Sequence, residues 1–540
     1  MPPLCESSNK TIPKMITELN LKNYKAFEDV TIPIKPITIF LGANSVGKSS
    51  IIQLLLLLQQ TGKTGLKSYK SALKLYGGYV NLGDPKNLFR KRNTANPIEI
   101  TFEIKSSEIQ DILKHNFIEN YIRIFKDLPL FIPIKGFSEL REKEIKSRAD
   151  FALYLETIID VLSKETTKEK INQEIVWFLN HRYNMSIPSI NKSNRKTFID
   201  IYDFLIKLNK AVRSDIFKIS YKIKLKDNNT LYVSNFRILH QEKTIVEISL
   251  EDNLIVKSAY VNFNAEDLGN LKEFIEPNST IFNTFKVIDL RSNNLNLKSS
   301  IIIQIISRVQ EILKEEFSEN SINYVSPLRA HPKRYYMLDK AKMNITLDTL
   351  DGDAIAEVLK DNPIVTKNVN NWFQKFGLNI DVKAFKEVIH HLIVKQNDLD
   401  LDITDVGFGI SQILPVIIQG FLANKNTTTI IEQPEIHLHP KMQADLADLF
   451  IDIIETNKKT KKLIIETHSE YLLKRLRRRI SEGKIASETV SICLFNPQTE
   501  LESAKVKILE IEEKGYFEWP IDFYGGEILN DTTVFLKNQD

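Results

Sequence analysis

Residues Gly42-Ala43-Asn44-Ser45-Val46-Gly47-Lys48-Ser49 match the pattern G-x-x-x-x-G-K-[ST], and this loop constrains the fold more than any other feature. It works only between a buried strand and a helix. Residues 37–41 are a short apolar run that ends at Gly42, and residues 48 to about 60 read as a helix. The glycines let successive backbone N–H groups turn inward toward phosphate oxygens, and the helix N-terminus adds partial positive charge. Lys48 is positioned to reach the outer phosphates, and the Ser49 hydroxyl to ligate Mg²⁺. Gly42, Asn44, Ser45, Val46, Gly47, Lys48, Ser49 and Ser50 are therefore the candidate nucleotide-binding residues.

Such a loop needs acidic partners to do more than bind. They come nearly 400 residues later. A β-rich run at residues 427–431 ends in Glu432-Gln433-Pro434-Glu435. An acid at the end of a buried strand can hold a metal's hydration shell, and a second acid beyond it can polarise the attacking water. Glu432 is assigned to the metal and Glu435 to the general base. Ile436-His437-Leu438-His439-Pro440 follows, leading into a helix from Lys441. The two histidines lack a carboxylate or cysteine cluster for zinc, and they read as a contact near the nucleotide. Residues 463–466 form another apolar strand, ending in Thr467-His468-Ser469-Glu470. His468 is placed to hydrogen-bond the γ-phosphate or the attacking water as a neutral imidazole.

Other segments read in blocks. Residues 15–41 suggest two strands around a turn, 97–105 a strand, 106–215 helices, and 216–262 antiparallel strands separated by Asp-Asn and Glu-Asp-Asn turns. A further helix is expected over 300–318. The fold class is α/β: a P-loop ATPase head split into 1–105 and 301–540, with a helical and antiparallel-β insertion at 106–300 for recognising a partner or nucleic acid.

Composition adds limits. Charged residues are 26%, apolar residues 42%, and the net charge is +4, so any basic surface must be local. Two cysteines, Cys5 and Cys493, cannot build a disulfide framework. The longest apolar run, residues 51–58, is too short for a membrane span, which takes about 20 residues. The chain is expected in the cytoplasm, with no membrane partner.

Together these pieces resemble the ABC-type ATPases of the SMC, RecF and OLD superfamily. The matching residues are Leu21-Lys22-Asn23-Tyr24-Lys25-Ala26-Phe27, the loop at 42–49, Val406-Gly407-Phe408-Gly409-Ile410-Ser411-Gln412-Ile413-Leu414-Pro415, the run 432–440 and Thr467-His468-Ser469. Tyr324-Val325-Ser326-Pro327-Leu328-Arg329-Ala330 and the tail Trp519-Pro520-Ile521-Asp522-Phe523-Tyr524 are similar to stand-alone bacterial members linked to phage defence. The resemblance implies ATP and Mg²⁺ as cofactors and a homodimer that sandwiches nucleotide. It also implies that residues 406–412 present a helix N-terminus to the γ-phosphate of the other copy, through Gly407, Gly409, Ser411 and Gln412. Aligning the glycines puts Gly407 where the superfamily carries its signature serine, with Ser411 four residues on. Arg329 has two readings, a phosphate contact in trans or a helix cap. The aromatic tail reads as a lid on the core or a docking surface.

The resemblance further implies an ATP-hydrolysing regulator or sensor in an anti-phage defence or DNA-processing system, similar to Septu-type and OLD-like ATPase subunits. A separate nuclease would be the effector, because only about 70 residues follow His468. His390-His391, expected on a helix, and Asp381-Val382-Lys383 make no convincing nuclease site. Two alternatives stand: a nucleotide-held scaffold with little turnover, and a RecF-like repair ATPase. Arg90-Lys91-Arg92, Lys458-Lys459 with Lys461-Lys462, and Lys474-Arg475 with Arg477-Arg478-Arg479 are basic clusters suited to DNA or RNA, or to a solvated face.

Overall fold

The computed structural model describes residues 15–63, 70–131, 137, 140, 142–164, 168–183, 187–251, 253–275, 280–284, 295–318, 321–337, 354–386, 389–422, 426–456, 460–499, 502–519, 533–534 and 536–538. The chain forms two compact units. One joins residues 17–59 to 316–540, and the other joins 1–16 to 60–315.

The first unit is built on a six-stranded sheet in the order Lys505–Leu509, Val490–Asn496, Ile37–Leu41, Lys462–Glu466, Thr428–Glu432, Ile322–Val325. Only the Lys505–Leu509 edge is antiparallel; the other neighbours run parallel. Parallel strands must be covered on both faces, so their sequences are continuous apolar runs and not alternations. Ile37–Leu41 and Lys462–Glu466 are buried at every position. Helices Lys48–Gly62, Phe408–Leu422, Pro440–Thr456 and Glu470–Ser481 follow these strands or pack on them. Leu446, Leu449, Phe450 and Ile453 recur on one face of Pro440–Thr456 and join a core with Ile413, Ile417, Ile431 and Ile465.

A hairpin, Met15–Tyr24 with Phe27–Pro33, pairs Tyr24 with Phe27 across a tight turn. Its aromatic end reaches the phosphate loop: Phe27 packs edge-on to Phe495, and the Tyr24 hydroxyl donates to the Ser50 carbonyl at 3.3 Å. A small antiparallel sheet contains Leu378–Lys386, Ile389–Gln396 and Leu399–Asp402. His390 and His391 therefore lie on a strand, not the expected helix; Ile389, His391 and Ile393 alternate with His390, Leu392 and Val394, and Leu392 and Val394 are fully buried. Asp381 pairs with Lys395 and Lys383 with Asp400, as ordinary cross-strand ion pairs.

The second unit holds an antiparallel sheet of Ile98–Lys105, Ile216–Leu225, Leu231–His240, Lys243–Leu250 and Leu254–Lys257. Beside it, helices Phe117–Phe131, Arg148–Lys164 and Arg195–Ala211 share an aromatic core, in which Phe151 stacks on Tyr202 at 4.4 Å and Phe125 meets Phe198 at 5.3 Å. The expected boundaries at 105 and 300 both move. Ile98–Lys105 belongs with the inserted sheet because it pairs along its length with Ile216–Leu225. Helix Leu297–Glu315 also belongs here, fastened by Lys298 to Asp267 at 2.6 Å.

Candidate nucleotide site

The phosphate loop joins strand Ile37–Leu41 to helix Lys48–Gly62. Its two glycines are required by geometry. Gly42 has φ +135° and Gly47 φ +109°. A Cβ at Gly42 would lie 2.5 Å from the Phe495 carbonyl oxygen, and one at Gly47 2.5 Å from the Phe27 ring. Ala43, Asn44 and Ser45 form an exposed tip, Val46 is buried beneath it, and Ser49 is exposed at the first turn of the helix. Lys48 is only 3% exposed. Its ammonium donates to the carbonyls of Gly42 at 2.8 Å and Ala43 at 2.6 Å and lies 3.6 Å from a carboxylate oxygen of Glu466.

The strand order explains why Glu466 is there. Lys462–Glu466 lies between the loop strand and Thr428–Glu432, so the two terminal glutamates are register neighbours. Glu432 accepts a hydrogen bond from the Tyr324 hydroxyl at 2.6 Å. Burial, with the charge of Glu466 adding to it, pushes the Glu432 carboxyl up to about 7 against the opposing Tyr324 bond. The other carboxylate oxygen of Glu466 is buried and has no partner among the described residues. Burial lowers the Lys48 pKa against the attraction of Glu466, Glu432 and Glu435.

Glu435 is held by the segment after the central strand. Thr467 Oγ1 donates to it at 2.8 Å and the His468 N–H at 2.6 Å. Burial raises its pKa, and these donors work in the opposite direction. His468 is exposed, yet partial desolvation of its ring and then the charge of Lys48 lower its pKa, which favours the neutral imidazole. Ser469 caps the following helix by accepting from Leu472 N–H at 3.3 Å.

Arg329 fits neither of its expected readings. It is 7% exposed, and its guanidinium donates to the carbonyls of Gln412 (3.2 Å), Glu432 (2.9 Å) and Gln433 (3.1 Å). It therefore ties the helix Phe408–Leu422 to the acidic turn inside one chain. Burial lowers its pKa to about 10, opposed by Glu435.

At the start of that helix, Gly407 is exposed, and a Cβ there would meet nothing within 4 Å. Gly409 is different: a Cβ there would approach the His437 carbonyl oxygen to 2.6 Å. The Ser411 hydroxyl is buried and donates to the Phe408 carbonyl at 2.8 Å, within its own helix. The Gln412 side chain is buried beside the Ala330 carbonyl. Phe408 packs between the His331 ring at 5.3 Å and the His437 ring at 5.0 Å.

Lys48, Glu432, Glu435, Glu466 and His468 thus surround one phosphate-binding loop, although the sequence separates them widely. The sequence reading missed Glu466 and Tyr324. Glu466 carried a usable signal, because Leu463-Ile464-Ile465-Glu466 repeats the pattern of Ile430-Ile431-Glu432: an apolar parallel strand ending in an acid. The expected residues Trp519 to Tyr524 lie outside the described part beyond Trp519.

The AAA ATPase domain profile matches residues 15–473. The chain belongs to the AAA ATPase domain family. Its members bind nucleotide, and the strand order seen here is that of a P-loop head assembled from two separated stretches of chain. No curated protein matches this AAA ATPase. Among solved structures it is similar to an Smc head bound to the C-winged helix domain of ScpA, at 11% identity, 92% of this chain and 99% of that chain, with a TM-score of 0.38. It is also similar to the SMC head domain from Thermotoga maritima, at 8% identity, 92% and 99% coverage, and a TM-score of 0.32. A third similarity is to the Smc head domain with an extended coiled coil bound to the C-terminal domain of ScpA, derived from Pyrococcus furiosus, at 11% identity, 93% and 97% coverage, and a TM-score of 0.31. Among the described residues no helix of this ATPase is long and apolar enough to cross a membrane.

Proposed function

We propose that this AAA ATPase binds Mg²⁺-ATP at Lys48 and hydrolyses it, with two copies closing around nucleotide. The observation that carries the reading is the buried ammonium of Lys48 facing three carboxylates supplied by distant segments. The donor set suits a hydrated divalent ion: Ser49 is exposed at the helix start, Glu432 lies at the strand end, and one Glu466 oxygen is buried without a partner among the described residues. Bound there, Mg²⁺ would neutralise charge developing on the outer phosphates. The protein's own residues do the rest. Lys48 exchanges its carbonyl contacts for phosphate oxygens. Glu435, oriented by Thr467 and the His468 N–H, accepts a proton from the attacking water, and the neutral His468 ring steadies that water or the γ-phosphate.

The finer role is a nucleotide-dependent regulator that works with a separate nuclease in a defence or DNA-processing system. Its support is the resemblance of residues 324–330 and of the aromatic tail to stand-alone defence ATPases. Steady-state phosphate release tests the enzymatic core: Glu435→Gln should lower the rate by about 10² or more, and equal rates near zero in both proteins would reject hydrolysis.

A scaffold that holds nucleotide with little turnover is the second reading. Two observations favour it: glycine at position 407, and the Ser411 hydroxyl committed to its own helix.

A further inference from the structure

The five cations from Lys474 to Arg479 do not act together. Helix Glu470–Ser481 divides them by its period. Arg475 pairs with Asp445 at 3.1 Å and Asp448 at 2.8 Å, and Arg479 chelates Asp448, so both fasten this helix to Pro440–Thr456. Lys474, Arg477, Arg478 and Ser481 follow the i, i+3, i+4, i+7 spacing of one stripe. With Lys514 and Tyr516 they line a concavity of about 280 Å³.

Two of its four cations are electrostatically committed: Lys474 to Glu470, and Arg478 to Glu482 at 2.6 Å. Arg477 and Lys514 have no ion pair among the described residues. Arg477 is oriented by aromatic rings, with Phe517 at 5.1 Å, Trp519 at 5.5 Å and Tyr516 at 5.9 Å. Lys514 is carried on a fixed turn. The Gly515 N–H donates to Glu512 at 2.8 Å, and Glu512 N–H to Tyr516 at 2.8 Å. Gly515 has φ +78°, and a Cβ there would lie 2.5 Å from the Arg477 carbonyl oxygen, so the turn rests against the helix backbone. A helix C-terminus attracts cations through its dipole. That does not account for Lys514, which lies off the helix, or for Arg477, which is held by rings.

The surroundings indicate the ligand. Tyr516 is 55% exposed, and Tyr471, on the same helix stripe as Lys474 and Arg478, is 47% exposed. Two cations, Arg477 and Lys514, that have no ion pair among the described residues and are flanked by exposed rings suit a phosphate backbone whose bases are free to stack. We propose that this concavity binds single-stranded nucleic acid, with a phosphate between Arg477 and Lys514 and a base on Tyr516. The inference stands independently of the nucleotide site.

Fluorescence anisotropy with a labelled oligo-dT strand of about 20 nucleotides and the matching duplex, at low and moderate salt, tests it on the full chain. The strand should bind more tightly than the duplex. Lys514→Glu should weaken strand binding by about tenfold or more and flatten the salt dependence by roughly one phosphate contact. Tyr516→Ala should weaken it by roughly fivefold or more, and Tyr516→Phe should restore it. Both exposed variants should keep wild-type melting temperatures. Absence of strand binding at low salt, preference for the duplex, or unchanged binding in Lys514→Glu and Tyr516→Ala would each overturn the proposal. So would loss of a protein partner in those variants while strand binding stays intact.

Discussion

Glu432 and Glu466 end adjacent parallel strands in register, with Tyr324 hydrogen-bonded to the first at 2.6 Å and Lys48 3.6 Å from the second. Two buried carboxyl groups side by side cannot both ionise without cost. With Lys48 this close, Glu466 belongs to the proposed nucleotide site. Glu466→Gln should keep nucleotide binding in the absence of metal but raise the Mg²⁺ concentration needed to tighten it, by about tenfold. Calorimetric titration of Mg²⁺ into the nucleotide-bound protein reads the change directly, and an unaltered Mg²⁺ dependence would remove Glu466 from the site.

The same pair predicts a pH dependence. The Glu432 carboxyl is raised from its ordinary value of 4.5 to about 7 in the fold. Between those values the folded chain binds a proton that the unfolded chain has released, so this group's stabilisation is present below the lower value and is lost as pH rises through about 7. Glu432→Gln should flatten this part of the melting-temperature profile between pH 5 and pH 7.5, a window taken from roughly those two pKa values. A profile identical to wild type would contradict it.

Arg329 should matter through what it leaves behind. Removing it takes a buried charged donor away from the carbonyl oxygens of Gln412, Glu432 and Gln433, of which the last keeps the Ile436 N–H at 3.3 Å. Arg329→Met should cost about 3 kcal/mol of stability, seen in chemical denaturation. Arg329→Lys should recover only part of this, because an ammonium cannot reach carbonyls on two elements as a guanidinium fork does. Full rescue by lysine would mean that charge alone is at work.

Gly407 offers a gain of function. Its Cβ position is open, whereas that of Gly409 is blocked by the His437 carbonyl. Gly407→Ser should be accepted without loss of stability and should raise phosphate release by about tenfold if an added hydroxyl completes the partner's site. Gly409→Ser should lower the melting temperature. Unchanged turnover in Gly407→Ser would favour the nucleotide-held scaffold.

The loop strand, the acid-ended strand at Glu432 and the inserted antiparallel sheet were legible because each has its own local pattern: a glycine-bounded apolar run, an apolar run closed by acid, and strict alternation. The helix at the phosphate loop was legible to within two residues. What escaped was decided by strand order. Nothing local says that Lys462–Glu466 lies between the loop strand and Thr428–Glu432, and only that order makes Glu466 a neighbour of both Lys48 and Glu432. Arg329 escaped for a related reason, since its three acceptors are backbone atoms on distant elements. Cationic runs were the least legible. Lys461 and Lys462 are buried, with Lys461 donating to the Gly420 carbonyl at 3.0 Å, so they offer no basic surface; Lys458 and Lys459 lie outside the described residues. His390 and His391 lie on a strand and not a helix, and the alternating burial from Ile389 to Val394 was the local signal for it.

The central claim is that Lys48 and the distant acidic strand end serve one triphosphate. Equilibrium binding of a fluorescent ATP analogue, with and without Mg²⁺, measures it most directly in wild type, Lys48→Ala and Glu432→Gln. Lys48→Ala should lose binding under both conditions, and Glu432→Gln should bind but gain little from Mg²⁺. If Lys48→Ala binds like wild type, or Mg²⁺ strengthens binding equally in wild type and Glu432→Gln, the two halves do not form a common site.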